Sequence, residues 1–289
     1  MPKIKIRSMI RAPKGSEFLA FDLSQAESWV VAYEANEPRM KHALKYGDIH
    51  SETAVALFHL DKANCEHKWK DVKAENKKNK LCESCGVLVL EDERYLGKKG
   101  NHASAYGMKE YRQMETINAE SDKPPFITVT LAEATQMNKR WHSYYNVRAW
   151  WANIQDELNK TRTLTTTYGR RRQFFQHWGD ELFKEAYAFK PQSTVADHFN
   201  GRVHPQLGIR GGFKEIYYQH AKRGHLSICN HAHDSCLLLV PSPIPDSLIY
   251  EIRALLERPI VINGEEFTIP VDGERGERYG ELEKIKWAA

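Results

Sequence analysis

Two aspartates stand at positions where a carboxylate could meet a ligand. Asp22 ends the apolar run Glu-Phe-Leu-Ala-Phe-Asp at residues 17–22, and Asp234 lies in the polar centre of an apolar segment at residues 226–240. A structural explanation exists for each of them. Asp22 could be the N-cap of a following helix, and Asp234 could be an ordinary turn residue. Spacing alone leaves both interpretations open.

Cysteine and histidine supply a second candidate site. Cys65-x-His67 and Cys82-x2-Cys85 form two pairs that flank a polar, lysine-rich segment. Such pairs match the four-ligand tetrahedral geometry of a structural zinc site, and the alternative is a set of unrelated cysteines. The chain has five cysteines, an odd number, which favours a metal site in a reducing compartment over a disulfide framework.

A third pattern lies in a predicted helix over residues 91–111. Four of its side chains recur at every fourth position, on one stripe: Arg94, Lys98, His102 and Tyr106. Two cations followed by an aromatic ring suit the phosphates and the base of a nucleoside triphosphate. The competing interpretation is a solvated basic face. Gly97 and Gly100 each cost about 1 kcal/mol in a helix, so we expect this helix to approach another group closely.

Both helices and strands are predicted to position these residues. We predict a strand at residues 17–22, helices at 24–46 with a break at Pro38, and helices at 131–164, 180–200 and 246–257. A hairpin at 226–240 and a strand at 261–271 complete the pattern, which indicates an α+β fold. The net charge of +4 fits a polyanionic partner, and no apolar run is long enough for a membrane span.

The order of these motifs resembles family A (DNA polymerase I-like) DNA polymerases. Asp22-Leu23-Ser24-Gln25-Ala26-Glu27, with the Asp-Ile-His segment at residues 48–50, resembles motif A. The stripe on the predicted helix resembles motif B, and His233-Asp234-Ser235 resembles motif C. Gly169-Arg170-Arg171 and Gln192 resemble the segments of that family that contact primer-template DNA. The resemblance extends from about Arg7 to the C-terminus.

This resemblance implies a role for each matched residue. Two Mg²⁺ ions would be held by Asp22, Asp234 and the carbonyl of Leu23, with Lys98 as a general acid. The dNTP would be bound by Leu23, Gln25, Glu27, Arg94, Lys98, His102 and Tyr106, of which Glu27 and Tyr106 would exclude a ribose 2′-hydroxyl. The DNA would be contacted by Arg170, Arg171, Gln192 and His233. A structural Zn²⁺ would be bound by Cys65, His67, Cys82 and Cys85.

The resemblance also implies a domain organisation. We expect a palm, made of an antiparallel sheet with packed helices, and a mainly helical fingers subdomain, without a thumb or an exonuclease. The expected divisions are palm at residues 1–58, an inserted zinc lobe at 59–93, fingers at 94–165 and palm at 166–289. A separate N-terminal chain would supply the thumb, with or without an exonuclease. We expect an intracellular, cytoplasmic protein, and a phage in a bacterial host is one source that fits so reduced a form.

Two departures from the family pattern keep alternatives open. Ser235 replaces the usual glutamate, a substitution typical of single-subunit RNA polymerases, although Glu27 argues against such an enzyme. His102 and Ala103 replace an aromatic residue and a glycine. A catalytically silent nucleic-acid-binding remnant is the second alternative, and comparing synthesis from dNTPs and rNTPs would separate all three.

Overall fold

The computed structural model describes residues 6–74 and 77–287, which divide into two compact units. The first unit comprises Met1–Val30, Thr165–Arg171 and Pro191–Ala289, and the second comprises Val31–Leu164 and Arg172–Lys190. The divisions predicted after residues 58 and 93 lie within the second unit, and the predicted limits of palm, zinc lobe and fingers stay predictions. None of the described helices is long and apolar enough to cross a membrane.

Helices and strands alternate irregularly along the described chain, which confirms the α+β class. The helices are α1 Ala26–Glu34, α2 Pro38–Tyr46, α3 Ile49–Phe58, α4 Glu91–Ala105, α5 Glu110–Asn118, α6 Leu131–Tyr144, α7 Arg148–Thr161, α8 Asp180–Asn200, α9 Gly212–Gln219 and α10 Asp246–Leu256. The strands are β1 Ser16–Leu23, β2 Trp69–Ala74, β3 Lys77–Cys82, β4 Leu88–Val89, β5 Thr163–Thr165, β6 Arg171–Gln173, β7 Ser227–Ala232, β8 Ser235–Pro241, β9 Pro259–Ile262, β10 Glu265–Thr268, β11 Val271–Gly276 and β12 Glu283–Lys284.

A five-stranded antiparallel sheet organises the first unit, in the order β12-β11-β1-β8-β7. Its central strand, β1, alternates in burial: Leu19, Phe21 and Leu23 are buried, whereas Asp22 points away from them and is exposed. This alternation follows from the two-residue period of a strand. The predicted hairpin at residues 226–240 is confirmed as β7 and β8.

Three predicted boundaries differ from the structure. The helix predicted to reach residue 111 ends at Ala105, because Gly107 has a positive φ of 70°. The stretch 131–164 contains two helices, separated where the buried Tyr145 is extended. The strand predicted at 261–271 is the end of β9, β10 and the start of β11, because Asn263 and Gly264 (φ 52° and 79°) make a hairpin turn.

The second unit is mainly helical, and its tightest contact joins α3 and α4. A Cβ atom added to Gly97 would lie 2.4 Å from the carbonyl oxygen of His50 and 2.9 Å from the amide nitrogen of Ala54. The two backbones can therefore meet only because residue 97 has no side chain. The close approach expected from the helix glycines is confirmed, and the group approached is α3.

Candidate active site and metal centre

Asp22 occupies the exposed end of the central strand of the first unit. It lies directly opposite Ser235 of β8 on one side and Asp272 of β11 on the other. Directly opposite residues project from the same face of a sheet, and all three line one cavity of about 320 Å³. Because α1 begins only at Ala26, Asp22 is not the N-cap of that helix.

Asp234 lies in the turn between β7 and β8, at the same end of the sheet. The backbone N–H of Leu23 donates to the carbonyl oxygen of Asp234 at 3.0 Å, so the turn is pinned to the end of β1. His233 supports the turn with a φ of 48°, and its Nε2 lies 3.7 Å from Oε1 of Glu27. The structure thus brings four predicted site residues, Leu23, Glu27, His233 and Asp234, into one neighbourhood.

Partial burial shapes the electrostatics of Asp234. Desolvation raises the pKa of its carboxyl group above the ordinary value, and the neighbouring carboxylate of Glu27 raises it further, while His233 opposes both effects. A group whose charged form is disfavoured in this way gains from a bound cation. The donor chemistry here, carboxylate and carbonyl oxygens, is the kind that Mg²⁺ prefers.

Two neighbours of Asp22 bear on the predicted motif. The hydroxyl of Ser235 donates to the carbonyl oxygen of Ala232 at 3.1 Å, so it closes the hairpin turn. Asp272 was missed by sequence reasoning, because the strand predicted at 261–271 stopped one residue before it. The alternation of residues 271–276 was the available signal, since it places Asp272 on the outward face of β11.

Three residues of the predicted nucleotide stripe share a cavity in the second unit. Lys98, His102 and Tyr106 line a space of about 670 Å³ beside α4, together with Lys184. Tyr106 is the C-cap of the helix rather than part of it. These side chains offer positive charge and an aromatic ring to the same volume.

Arg94, the fourth residue of the stripe, has a protein partner instead. Its Nε lies 2.6 Å from Oδ2 of Asp48, and a second nitrogen lies 3.2 Å from Oδ1. Burial would raise the pKa of Asp48, but Arg94 holds it below the ordinary value. Asp48 also caps α3 by accepting from the backbone N–H of His50 at 3.1 Å. The pair therefore ties α4 to the start of α3.

The residues predicted to contact DNA lie in the first unit and are exposed. Arg170 follows Gly169, whose φ of 74° forms the turn, and it pairs with the buried Asp197 at 2.9 and 2.5 Å. This ion pair orients the guanidinium, which keeps 48% of its side-chain surface exposed. Arg171 and Gln192 are also exposed.

The four predicted zinc ligands converge in the segment between α3 and α4, here called the metal lobe (residues 63–90). One ligand atom from each of Cys65, His67, Cys82 and Cys85 lies within 4.8 Å of all the others. Burial raises the pKa of the Cys82 thiol, but backbone N–H groups lower it to about 7 overall. Those of Ser84 and Cys85 lie 3.3 and 3.5 Å from its sulfur. A thiolate held by backbone donors suits a metal ligand.

His67 is completely buried and uses only one of its two nitrogens within the protein. Its Nδ1 is 2.8 Å from Oε2 of Glu52, whereas its Nε2 has no hydrogen-bond partner among the described residues. A buried polar atom without a partner is costly. Ligation of a metal by Nε2 would remove that cost, so the histidine fits the cluster.

Three comparisons with known proteins show what this chain is similar to. The family model described as DNA polymerase family A matches residues 2–197. A curated relative, the thermostable DNA polymerase I of Thermus filiformis, is 28% identical over 169 residues, which are 58% of this chain and 16% of that protein. A solved structure, the POL domain of Pol1 from M. smegmatis in complex with DNA primer-template and dNTP, matches with a TM-score of 0.68.

That structural match covers 95% of this chain and 42% of the other, at 17% identity, and it establishes the fold. The chain thus spans less than half the length of each of these relatives. The family model covers Asp22, the α4 stripe, Arg170 and Gln192. On the extent of that match, and with the α+β fold that accompanies it, this chain belongs to DNA polymerase family A.

Proposed function

We propose that the chain performs template-directed DNA synthesis, transferring a nucleotidyl group from a dNTP to a primer 3′-hydroxyl. The observation that carries the proposal is the hydrogen bond between Leu23 and Asp234, which holds the two predicted catalytic aspartates at one end of the sheet. Family membership adds support, as does the similar fold of the Pol1 POL domain, which was solved in complex with DNA primer-template and dNTP.

Asp22, Asp234 and the carbonyl oxygen of Leu23 would hold two Mg²⁺ ions. Such ions activate the primer 3′-hydroxyl and stabilise the leaving pyrophosphate. The exposed Asp22 is accessible to a cation, and the raised pKa of Asp234 means that a cation would favour its ionised form. The chemistry of the donors therefore fits the metal.

The second unit would hold the incoming nucleotide. Lys98 would bind the triphosphate and donate a proton to the leaving pyrophosphate. His102 and Tyr106 would border the base and sugar. Gln25 and Glu27, which belong to the first unit, stay the further predicted dNTP contacts. Arg94 would contact a phosphate through its remaining N–H groups, because its bidentate bond to Asp48 uses Nε and only one terminal nitrogen.

The first unit would grip the primer-template. Arg170 and Arg171 would contact phosphates, and Gln192 and His233 would contact the strands near the reacting end. Asp197 holds Arg170 in one orientation, which reduces the entropy lost when it binds a phosphate.

Primer extension tests the proposal. We expect Asp22→Ala and Asp234→Ala each to reduce the single-turnover incorporation rate by at least about 10³-fold, since each removes a Mg²⁺ ligand. Asp246→Ala, which changes an acidic residue of the first unit at the start of α10, is the matched control. Unchanged rates in both aspartate variants would refute the assignment.

The serine at position 235 favours a second candidate function, that of a single-subunit RNA polymerase. A chain of that kind would incorporate rNTPs in preference to dNTPs. For the DNA polymerase we expect the opposite preference, and we expect Glu27→Ala to increase rNTP use by removing the side chain near the sugar. DNA binding with neither kind of synthesis would instead identify the silent nucleic-acid-binding remnant.

Two further parts of the function are proposed. We propose that Zn²⁺ occupies the metal lobe as a structural ion, supported by the convergence of its four ligands. The second part is that a thumb, with or without an exonuclease, is supplied by a separate chain. Adding a thumb-bearing polypeptide to this chain should then raise processivity, and an equal length of product with and without it would contradict the idea.

A further inference from the structure

The metal lobe is packed onto α3 rather than extended from it. Ala54 and Val55 of α3 share one apolar cluster with Cys82, Val87 and Val89 of the lobe. A ligand cysteine is thus part of the same core as the helix. Any movement of the lobe must disturb packing against α3.

A single carboxylate joins the predicted ligands to that helix. Glu52 lies on α3, its side chain is only 9% exposed, and its Oε2 accepts from the Nδ1–H of His67 at 2.8 Å. Its Oε1 accepts from Nε1 of Trp69 at 3.0 Å. Trp69 in turn stacks on His67, with ring centroids 4.9 Å apart. The imidazole is therefore held from its edge and from its face, with Nε2 left for the ligand cluster.

The lobe also reaches the start of α4. Oδ1 of the buried Asn79, on β3, accepts from the backbone N–H of Glu91 at 3.0 Å, which satisfies one free donor in the first turn of α4. Further along, α4 touches α3 backbone to backbone at Gly97. The lobe, α3 and α4 thus form a closed set of contacts within the second unit.

We propose that Glu52 is a positioning residue that couples a Zn²⁺ ion on the lobe, through His67, to α3 and thereby to α4. The ion then holds the helix that carries Lys98 and His102 and is capped by Tyr106, in addition to organising the lobe. Carboxylates that accept from a ligating histidine set its tautomer and ring orientation. Because α4 meets α3 without an intervening side chain, a shift of α3 is transmitted directly. The consequence for nucleotide binding rests on the function proposed above.

The first test measures metal affinity. Glu52→Gln keeps the size of the side chain and removes its charge, whereas Glu66→Gln makes the same change at an exposed position of the lobe. In competition with a chromogenic zinc chelator, we expect Glu52→Gln to weaken Zn²⁺ binding by about 10- to 100-fold. The Glu66→Gln variant should bind like the unaltered chain. Equal Zn²⁺ affinity in both variants would overturn the role of Glu52.

The second test measures the coupling to α4 in the unaltered chain. Hydrogen exchange is compared between the Zn²⁺-loaded protein and protein treated with chelator and reductant. We expect faster exchange after metal removal in Glu91–Ala105 as well as in the lobe. Faster exchange confined to residues 63–90 would overturn the coupling.

Kinetics then connect the coupling to the reaction. At saturating Zn²⁺, Glu52→Gln should raise KM for dNTP several-fold more than it lowers kcat, and Glu66→Gln should change neither. An unchanged KM in Glu52→Gln would contradict the link to nucleotide binding. If the unaltered chain makes no DNA, the proposed function fails, but metal affinity and hydrogen exchange still decide the role of Glu52.

Discussion

At the scale of single residues, the first unit places two carboxylates directly opposite each other. Asp22 and Asp272 are cross-strand partners in β1 and β11, and like charges in that arrangement are unfavourable. Without metal, we expect Asp272→Asn to raise the free energy of unfolding by roughly 0.2–1 kcal/mol, because it removes this repulsion. Urea denaturation in chelator at neutral pH measures the change.

Glu274→Gln is the matched control for that prediction, since Glu274 lies two residues further along β11 and faces Ala20 and Lys284. Removing the charge of Glu274 takes away its attraction to Lys284, so the free energy of unfolding should be unchanged or slightly lower. If Asp272→Asn is no more stable than the unaltered chain, the two carboxylates do not repel each other measurably.

At the scale of elements, the packing of α3 against α4 depends on Gly97. Gly97→Ala gains about 1 kcal/mol of helix propensity, yet its Cβ would collide with the backbone at His50 and Ala54, which cannot move aside. We expect a net loss of roughly 1–3 kcal/mol in unfolding free energy, measured by urea denaturation, together with a higher KM for dNTP.

Gly100→Ala provides the comparison, because it makes the same change one turn later in the same helix. There the nearest atom to an added Cβ is Cδ1 of Leu57, at 3.3 Å, which is the end of a flexible side chain. We expect stability close to that of the unaltered protein. Equal effects at both glycines would show that helix propensity, rather than backbone contact, determines the result.

Several elements were predictable from local composition and from the polar residues that interrupt or end apolar segments. β1, the hairpin of β7 and β8, and α8 were all predicted close to their observed positions. Errors arose where a tertiary contact or a single turn residue decides a boundary. Tyr145 is extended so that its ring can be buried, and the Asn263-Gly264 turn divides the predicted strand at 261–271. Periodicity carries neither kind of information.

The site residues follow the same rule. The convergence of the four Cys and His residues, and the placement of Asp22 and Asp234 at one end of the sheet, could be expected from the types and order of the residues; their roles stay predictions. Asp48 as the partner of Arg94, Asp272 opposite Asp22, and Glu52 beside His67 were not predicted as contacts. Each of these depends on which elements become neighbours, and a single sequence contains no direct record of that.

At the scale of the whole molecule, buried histidines predict the response to acid. Burial, aided by Arg258, lowers the pKa of His198 to about 3, and burial, aided by Arg148, lowers that of His142 to about 4. A depressed native pKa gives a contribution to stability that is complete above the ordinary value of 6.5. The contribution is lost as the pH falls towards the native pKa. Metal-free protein should therefore become less stable from about pH 6.5 down to pH 4.

The urea midpoint as a function of pH measures this loss. His142→Gln should flatten the curve between those limits, since it removes one titrating group. His177→Gln, at an exposed position of the same unit, should leave the slope as it was. A slope that does not change in His142→Gln would show that other groups dominate the acid response.

The order of strands in the five-stranded sheet has a consequence for how the chain folds during synthesis. β1 is made early, but both of its neighbours, β8 and β11, come from the last third of the chain. Residues 31–164 of the second unit are contiguous and make up most of its residues, so they can fold while the ribosome is still translating. The central strand must meanwhile remain unpaired until β8 has emerged at residue 241, and it gains its second neighbour only when β11 is complete at residue 276. Completion of the sheet is therefore a late, non-local and slow event.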